Sequence, residues 1–386
     1  MANALSASRQ WMTRPADERF INLHELHAVS QRAFENSNEN VVSSKRLRVM
    51  PDPTDEIGGL VIEHNANEAP SHMTHWSFGQ ISSLVSAPAK YLRTLPAPIA
   101  ADALNYGIQF NRETKDTGLL LTREAVDQPA RIGLGDLGGV GFTGASRTEM
   151  RAATGPNYGR IWNKDIVGAM IDRFGDGVTG DFKVPGEFGK DVVVNRDNTT
   201  IYGSDRDMFV FLADEKNRVN VANRRDGKAG SLARGFFVWN SEVGSQSVGA
   251  AFFLFDFVCQ NRIVWGMEEF KEIRIRHTAS APDRWLEEIS PVLMEYSNAA
   301  AGPVEEVIRN AQNKKVEQDL DVFLRNRFTV TQSDAIKRAH EAEEGRPMET
   351  LWDVTTGATA FAKSIRNQDE RVKVERTAGN ILNLVA

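Results

Sequence analysis

The sequence predicts an α+β fold with a central antiparallel sheet that contains a long β-hairpin and is flanked by helices. Two apolar runs, 235–239 and 248–258, flank a polar segment of turn composition, NSEVGSQS, as expected of a hairpin. Phenylalanines fall on both faces of the second run, which predicts a central strand covered on both sides. A helical pattern precedes several short strand patterns and other helical patterns follow them, an order typical of α+β domains.

Bulk composition predicts an ordinary globular protein. The chain has 386 residues, 41% hydrophobic and 25% charged, enough for two or three domains. Its net charge of −6 argues against a protein that coats nucleic acid indiscriminately, but it allows a local basic groove. The single cysteine, Cys259, excludes a disulfide framework within one chain. Without a signal-peptide pattern or a long apolar helix, we expect a cytoplasmic protein with no membrane partner.

The first part of the chain predicts mostly helices. Residues 1–70 are polar and form a predicted appendage, with one short helix near 23–34. Residues 71–145 predict a small helical unit with a strand and a glycine-rich loop. Its first helix starts after Thr74 and ends before Pro88, and a second spans 99–108.

A glycine-dense run follows the strand predicted at 117–125. It contains Gly133, Gly135 and Gly138 in G-x-G-x-x-G spacing. A dinucleotide site needs a strand directly before this spacing and a helix opening at it, and a phosphate-binding loop needs a following Gly-Lys-Ser/Thr. The run meets neither requirement, so we expect a flexible loop.

The central α+β domain is predicted over 146–280 and a helical C-terminal region over 281–386. A helix with apolar positions from Ile161 to Phe174 should stop at Gly175. In the C-terminal region, one helix is predicted at 331–340 with Thr331 or Ser333 as its cap.

Basic residues near the hairpin are the first functional candidates. A single-stranded nucleic-acid binder needs a positive groove that follows phosphates, with aromatic rings for stacking. The antiparallel hairpin would bring basic residues before it close to one that follows it. The predicted nucleic-acid-binding residues are Arg224, Arg225, Lys228, Arg234, Arg262 and Arg160, with Arg147 and Arg151 as weaker candidates.

Two other functions remain open. A metal-dependent nuclease would need clustered carboxylates, and the candidates are Asp197, Asp205, Asp207 and Asp214. A self-assembling or regulatory protein acting on a host partner without catalysis would need an interface, for which the apolar C-terminal tail is a candidate. No catalytic signature is present, so we predict no catalytic residue, no metal and no cofactor.

Three stretches resemble a phage- and plasmid-related protein family of unknown function, domain of unknown function 932. They are HWSFGQISSLVSAPAKYLRTLP, FFVWNSEVGSQSVGAAFFLFDFVCQNRIVW and TLWDVTTGATAFAKSIRNQDERVKVERTAGNIL, at 75–96, 236–265 and 350–382. The resemblance implies a bacteriophage, prophage or plasmid gene, but no established activity. The order of elements is similar to that of Rad52-type single-strand annealing proteins. That similarity implies single-stranded DNA binding and homo-oligomers.

The resemblance also singles out a polar motif, Asn240, Ser241, Glu242 and Asn261. One interpretation is a turn whose side chains bond nearby backbone groups. The other places Glu242 and Asn261 in one polar site at the end of the hairpin.

Overall fold

The computed structural model describes residues 16–52, 59–110, 115–124, 147–184, 193–197, 199–221, 230–256, 262–263, 265, 272–300, 302–365 and 368–385. The strands are β1 Arg19–Phe20, β2 Ser37–Ser43, β3 Arg48–Pro51, β4 Leu60–Glu63, β5 Ser71–Met73, β6 Asp116–Glu124, β7 Arg147–Thr154, β8 Phe182–Lys183, β9 Ile201–Gly203, β10 Met208–Val221, β11 Gly230–Asn240, β12 Val248–Asp256, β13 Arg262–Ile263 and β14 Ile273–Ile275. The helices are α1 Leu23–Glu35, α2 His75–Leu84, α3 Ala89–Leu92, α4 Ala97–Phe110, α5 Asn163–Phe174, α6 Ala281–Arg284, α7 Ser290–Asn298, α8 Gly302–Asn313, α9 Leu320–Arg325, α10 Val330–Glu344, α11 Leu351–Ala362 and α12 Gln368–Leu382.

The predicted α+β class is confirmed, with a central antiparallel sheet flanked by helices. In this large sheet the strand order is β1-β9-β10-β11-β12-β13, while β8 also pairs with β10 and β14 with β12. The hairpin at its centre is β11–β12, as predicted, in register from Leu232 opposite Asp256 to Trp239 opposite Gly249. The connection between them, residues 241–247, is called the junction loop below.

Both faces of the large sheet are buried. On one face Phe236 packs against Phe174 of α5, with ring centroids 4.7 Å apart, and Phe252 packs against Tyr296 of α7 at 4.3 Å. On the other face Phe253 is fully buried beside neighbouring rings. Each buried phenylalanine stabilises the fold by roughly 1.5–3 kcal/mol. The hairpin is therefore a central core element, as its double-sided apolar pattern predicted.

Two hairpin glycines allow aromatic rings to lie across the strands. A Cβ on Gly235 would lie 2.4 Å from the ring of Phe253, its cross-strand partner. A Cβ on Gly249 would lie 2.3 Å from the ring of its own partner, Trp239. The rings fill the space that a side chain would take, so these positions require glycine for packing.

A second sheet, the small sheet, was not predicted. Its strand order is β2-β6-β7-β5-β4-β3, with β5 and β7 parallel and the other pairs antiparallel. Three of its strands, β2, β3 and β4, precede residue 71, so the sheet crosses the boundary drawn there. Strand β2 has the sequence SNENVVS and lies at an edge of the sheet, where polar side chains face solvent. The alternation of apolar and polar residues in β2 is therefore too weak to predict a strand from the sequence.

Helices α2 and α4 cover one face of the small sheet, with Ile81 and Leu104 in a core that includes Leu119, Leu121 and Met150. The predicted start of a helix after Thr74 is confirmed, since the Thr74 side chain accepts a hydrogen bond from Ser77 N and caps α2.

The C-terminal helices form a further core beside the large sheet. Helix α10 is capped by Thr329, in a capping box with Gln332, so the predicted caps at Thr331 and Ser333 were wrong. Both residues lie within the range of the helix and not at its cap position. The apolar tail packs internally, because Ile381 and Leu382 are buried in this core. In the part of the chain that the structure describes, no helix is long and apolar enough to cross a membrane.

Candidate functional site

The junction loop joins the two sheets. Its Val243 is fully buried against Leu120 and Ala152, on the small-sheet face opposite the helices. The Val243 carbonyl accepts hydrogen bonds from Trp76 Nε1 at 3.0 Å and Gln80 Nε2 at 2.8 Å, both on α2. The tip of the central hairpin is therefore anchored in the small sheet.

A buried ion pair also holds the junction loop against the small sheet. Arg151 Nη2 donates to Glu242 Oε2 at 2.9 Å, and the other carboxylate oxygen accepts from Asn163 N at 2.9 Å. Arg151 is the extra residue of a β-bulge, since Leu120 pairs with Ala152 and the next residue of β6 with Met150. A bulge redirects the side chain of the extra residue, here towards the loop.

The remaining polar motif also bonds within the fold. Asn240 Nδ2 donates to Ile161 O and to Asn163 Oδ1, both at 2.8 Å. Ser241 Oγ donates to Arg206 O at 2.7 Å and accepts from Ser245 N at 2.9 Å. Of these bonds, only the one from Ser245 N is local to the loop, and the Asn240 and Glu242 side chains bond distant segments, so the motif holds the loop against the rest of the fold.

Asn261 lies outside the described residues. The residue after it, Arg262, pairs with Phe255, at the end of β12 away from the junction loop. About six residues of β12 separate that pair from Gly249, which is ~20 Å in an extended strand.

Residues 158–162 connect β7 to α5 and lie against the junction loop. Gly159 N donates to His277 O at 3.3 Å, and His277 Nδ1 bonds to Gly159 O at 3.0 Å. A Cβ on Gly159 would lie 1.8 Å from Thr278 O, so only glycine permits this approach. Tyr158 OH donates to Ser241 O at 2.7 Å, and burial raises the pKa of Tyr158, so the hydroxyl stays protonated at neutral pH. The segment is therefore held by His277 on one side and by the junction loop on the other.

Three side chains of this segment form a continuous row of rings and cations with three side chains from outside it, called here the aromatic–cation ladder. In order, its members are Lys164, Phe34, Trp162, Arg160, Tyr158 and His277. The centroid distances are 4.3 Å from Lys164 Nζ to the first ring and 4.9 Å between Phe34 and Trp162. The Arg160 Cζ atom lies 5.8 Å from the Trp162 ring and 5.2 Å from the Tyr158 ring, and Tyr158 stacks on His277 at 4.8 Å. The four rings are half-buried.

Arg160 occupies the centre of the ladder. Its side chain is 3% exposed, and Nε donates to Glu39 Oε1 at 3.0 Å. Among the described residues, no hydrogen-bond partner lies within reach of its buried Nη1. Burial is the main cause that lowers the pKa of His277; the bond to Gly159 O raises that pKa, and the Arg160 guanidinium lowers it. A positive charge is thus held in place between two rings.

Arg234, another predicted nucleic-acid-binding residue, is not part of the ladder. Arg234 is buried and its Nη1 donates to Ala299 O, at the C-terminal end of α7, where a cation stabilises the helix. Leu254 pairs with Arg234 on one side and with Ile263 on the other, so β12 lies between β11 and β13. Arg224, Arg225 and Lys228 lie outside the described residues. Arg234 is six positions from Asn240 along β11, or ~20 Å from the ladder's end of the strand.

The described residues contain no group of three or more His, Cys, Asp or Glu side chains that could hold a metal ion. Asp207 instead pairs with Arg206 at 2.9 Å, and Asp214 accepts a bond from Lys216 N at 2.9 Å. Both carboxylates have structural partners.

Arg160 was predicted from the sequence as a binding residue, and the other members of the ladder were not. Residues 161 and 162 were assigned to a helix, whereas α5 begins at Asn163. The signal was the alternation of Tyr158, Arg160 and Trp162, the period of an extended segment that places every second side chain on one side. Phe34, Glu39 and His277 come from distant positions, and no local pattern identifies them.

Comparisons with known proteins identify a family but no activity. A family model described as "Domain of unknown function (DUF932)" matches residues 198–386. This range contains the second and third stretches that suggested the resemblance, and it begins after the first. No curated protein and no solved structure matches the chain.

Proposed function

Since residues 198–386 match the model of domain of unknown function 932, whose description names no activity, we propose a function from the geometry of the site. The protein binds single-stranded nucleic acid, most directly single-stranded DNA. The observation that carries the proposal is the aromatic–cation ladder. Annealing of complementary strands is the reaction that such binding would serve, and it requires no catalytic residue.

The composition of the ladder supports this proposal. Single-strand binders combine rings, on which bases stack, with cations that contact the phosphates between them. Here four half-buried rings form one continuous row, with Arg160 between two of them and Lys164 at one end. Every base has an aromatic face, so binding of this kind tolerates many sequences.

The rigidity of the ladder supports it further. Gly159 is held against residues 277 and 278, and Asn240 bonds the carbonyl of Ile161. Side chains that are already ordered lose less conformational entropy on binding. Duplex DNA offers no free base faces, so we expect it to bind more weakly than a single strand.

Fluorescence anisotropy of labelled single-stranded and duplex oligonucleotides across a salt series tests the proposal. We expect tighter single-strand binding that weakens steeply with salt. Lys164→Ala should lower affinity and reduce the slope of log affinity against log salt by about 0.7, the share of one phosphate contact in a single strand. The matched control is Lys216→Ala, a lysine that is 69% exposed and lies away from the ladder.

An aromatic pair of variants completes the test. His277→Ala removes the terminal ring of the ladder and should weaken single-strand binding. Tyr106→Ala removes a ring that is 66% exposed on α4 and should not. Absence of single-strand binding by the wild-type protein at low salt would overturn the proposal and favour a regulatory role on a protein partner.

A further inference from the structure

We propose that Arg160 and Glu39 form a gated phosphate site, in which the Glu39 carboxylate occupies the guanidinium until a phosphate group of a bound strand replaces it. This inference rests on the proposed function and names the part of the ligand that the centre of the ladder recognises. The ligand class is a phosphate monoester or diester.

The donor side of the site is built and buried. Arg160 is 3% exposed, and its Nε donates to Glu39 Oε1 at 3.0 Å. Within the described ranges Nη1 has no hydrogen-bond partner, although it is buried. A guanidinium presents Nε and its Nη groups as a fork that matches two oxygens of a phosphate. One carboxylate oxygen on Nε leaves part of that fork unused.

The Glu39 side chain can change its conformation more freely than the Arg160 side chain. Arg160 lies between Gly159 and Ile161, which the fold holds through His277 and Asn240, and between the rings of Tyr158 and Trp162. The Glu39 side chain is 45% exposed and extends from β2, at the edge of the small sheet. When an anion arrives, Glu39 can therefore turn into solvent while Arg160 stays in place.

The backbone does not have to move in this exchange. Glu39 pairs with Leu120 where β2 lies beside β6, so only the side-chain torsions of Glu39 change. A half-exposed carboxylate also regains much of its hydration when it leaves, so the ion pair presents a low barrier. Glu39 thereby excludes weaker anions and yields to a phosphate that is also held by base stacking.

Glu39→Gln tests the gate, because it keeps an oxygen acceptor for Arg160 Nε and removes the negative charge. We expect single-strand affinity at low salt to rise about fivefold, the scale of a half-exposed ion pair. Glu35→Gln is the matched control, since it makes the same change in net charge at the end of α1, where Glu35 accepts a bond from Gln31. The control should change affinity much less.

The double variant Arg160→Lys, Glu39→Gln tests whether the gain in affinity depends on the guanidinium of Arg160. Lysine keeps the charge but lacks the fork, so the gain from Glu39→Gln should disappear. Thermal unfolding of each variant, with and without inorganic phosphate, checks that the protein is folded. Phosphate should stabilise Glu39→Gln more than the wild type and more than Glu35→Gln.

Oligonucleotides with a 5′-phosphate or a 5′-hydroxyl distinguish the two sources of the phosphate. A preference for the 5′-phosphate that Arg160→Lys removes assigns a strand end, and equal affinities that Arg160→Lys lowers equally assign internal phosphodiesters. If Glu39→Gln binds oligonucleotides no more tightly than the wild type, the gate is overturned and the proposed function stands. If no variant binds oligonucleotides, the proposed function fails and the gate with it.

Discussion

Arg151 and Glu242 form a buried ion pair, Nη2 to Oε2 at 2.9 Å, that ties the small sheet to the hairpin of the large one. The two residues are 91 positions apart in sequence. Both side chains are buried, and each neutralises the charge of the other. Without its partner, either charge would be buried alone, which costs several kcal/mol of stability. The ladder lies directly beside this contact, because Glu242 also accepts from Asn163 N, one residue beyond Trp162. The stability of the junction and the geometry of the ladder are therefore linked.

Glu242→Ala should destabilise the protein by roughly 3–5 kcal/mol, because it leaves the Arg151 charge buried and the Asn163 amide without its acceptor. Urea denaturation measures the change. Glu370→Ala, which removes an exposed partner of Lys373, should change stability little. An unchanged unfolding free energy for Glu242→Ala together with loss of oligonucleotide binding would instead identify Glu242 as a binding residue.

Gly159→Ala should destabilise by about 1–3 kcal/mol or more, because the new Cβ would overlap the backbone at Thr278, 1.8 Å away. Gly155→Ala is the control on the same connection, since nothing lies within 4 Å of a Cβ there. That change should be neutral or slightly stabilising. Thermal unfolding compares the two, and equal losses would contradict the close approach of residues 159 and 278.

Asp353→Asn should destabilise the C-terminal helices by roughly 1–3 kcal/mol. Burial raises the pKa of Asp353, but the bidentate pair with Arg346 and the amides of Glu349 and Thr350 lower it more, so the folded pKa lies below the usual 3.8. This stabilisation is present above pH 3.8 and is lost as the pH falls through the folded pKa.

Chemical denaturation of the wild type and of Asp353→Asn at pH 7 and pH 3 measures that loss. The difference between the two proteins should be smaller at pH 3. Asp321→Asn removes an exposed partner of Lys337 and is the matched control. A difference that stays constant between the two pH values would contradict the assignment.

His340 should make folding sensitive to mild acid. Burial, the largest cause, lowers its pKa below 6.5, with smaller effects of the facing groups Asp353, Arg346, Glu344 and Glu343. In the part of the chain that the structure describes, neither ring nitrogen has a hydrogen-bond partner. Below pH 6.5 the unfolded chain takes up a proton that the folded chain resists, so stability falls as the pH falls from 6.5 towards the folded pKa.

Urea denaturation at pH 7.5 and pH 5.5 should therefore show a smaller loss for His340→Gln than for the wild type. The comparison uses the change with pH and not the absolute stability, because the substitution also alters packing beside Gly357, whose Cβ would meet His340 at 2.9 Å. Equal changes in the two proteins would show that His340 is not the titrating group.

The sequence by itself determined the central hairpin, most helices and the family. Alternation in 248–258, helical spacing after Thr74 and the glycine stop at Gly175 are local patterns, and short-range sterics and hydrogen bonding decide such structure. The resemblance to the family of domain of unknown function 932 was likewise carried by contiguous stretches, two of which lie in the matched range.

Only the tertiary structure decided the small sheet, the burial of Arg234 and the assembly of the ladder. Strand β2 is polar and Arg234 has the pattern of a solvated loop charge, so neither shows its environment locally. The ladder joins Phe34, residues 158–164 and His277, which meet beside the contact between the junction loop and the small sheet. Contacts between residues more than 100 positions apart depend on packing and chain closure, which a local pattern does not encode.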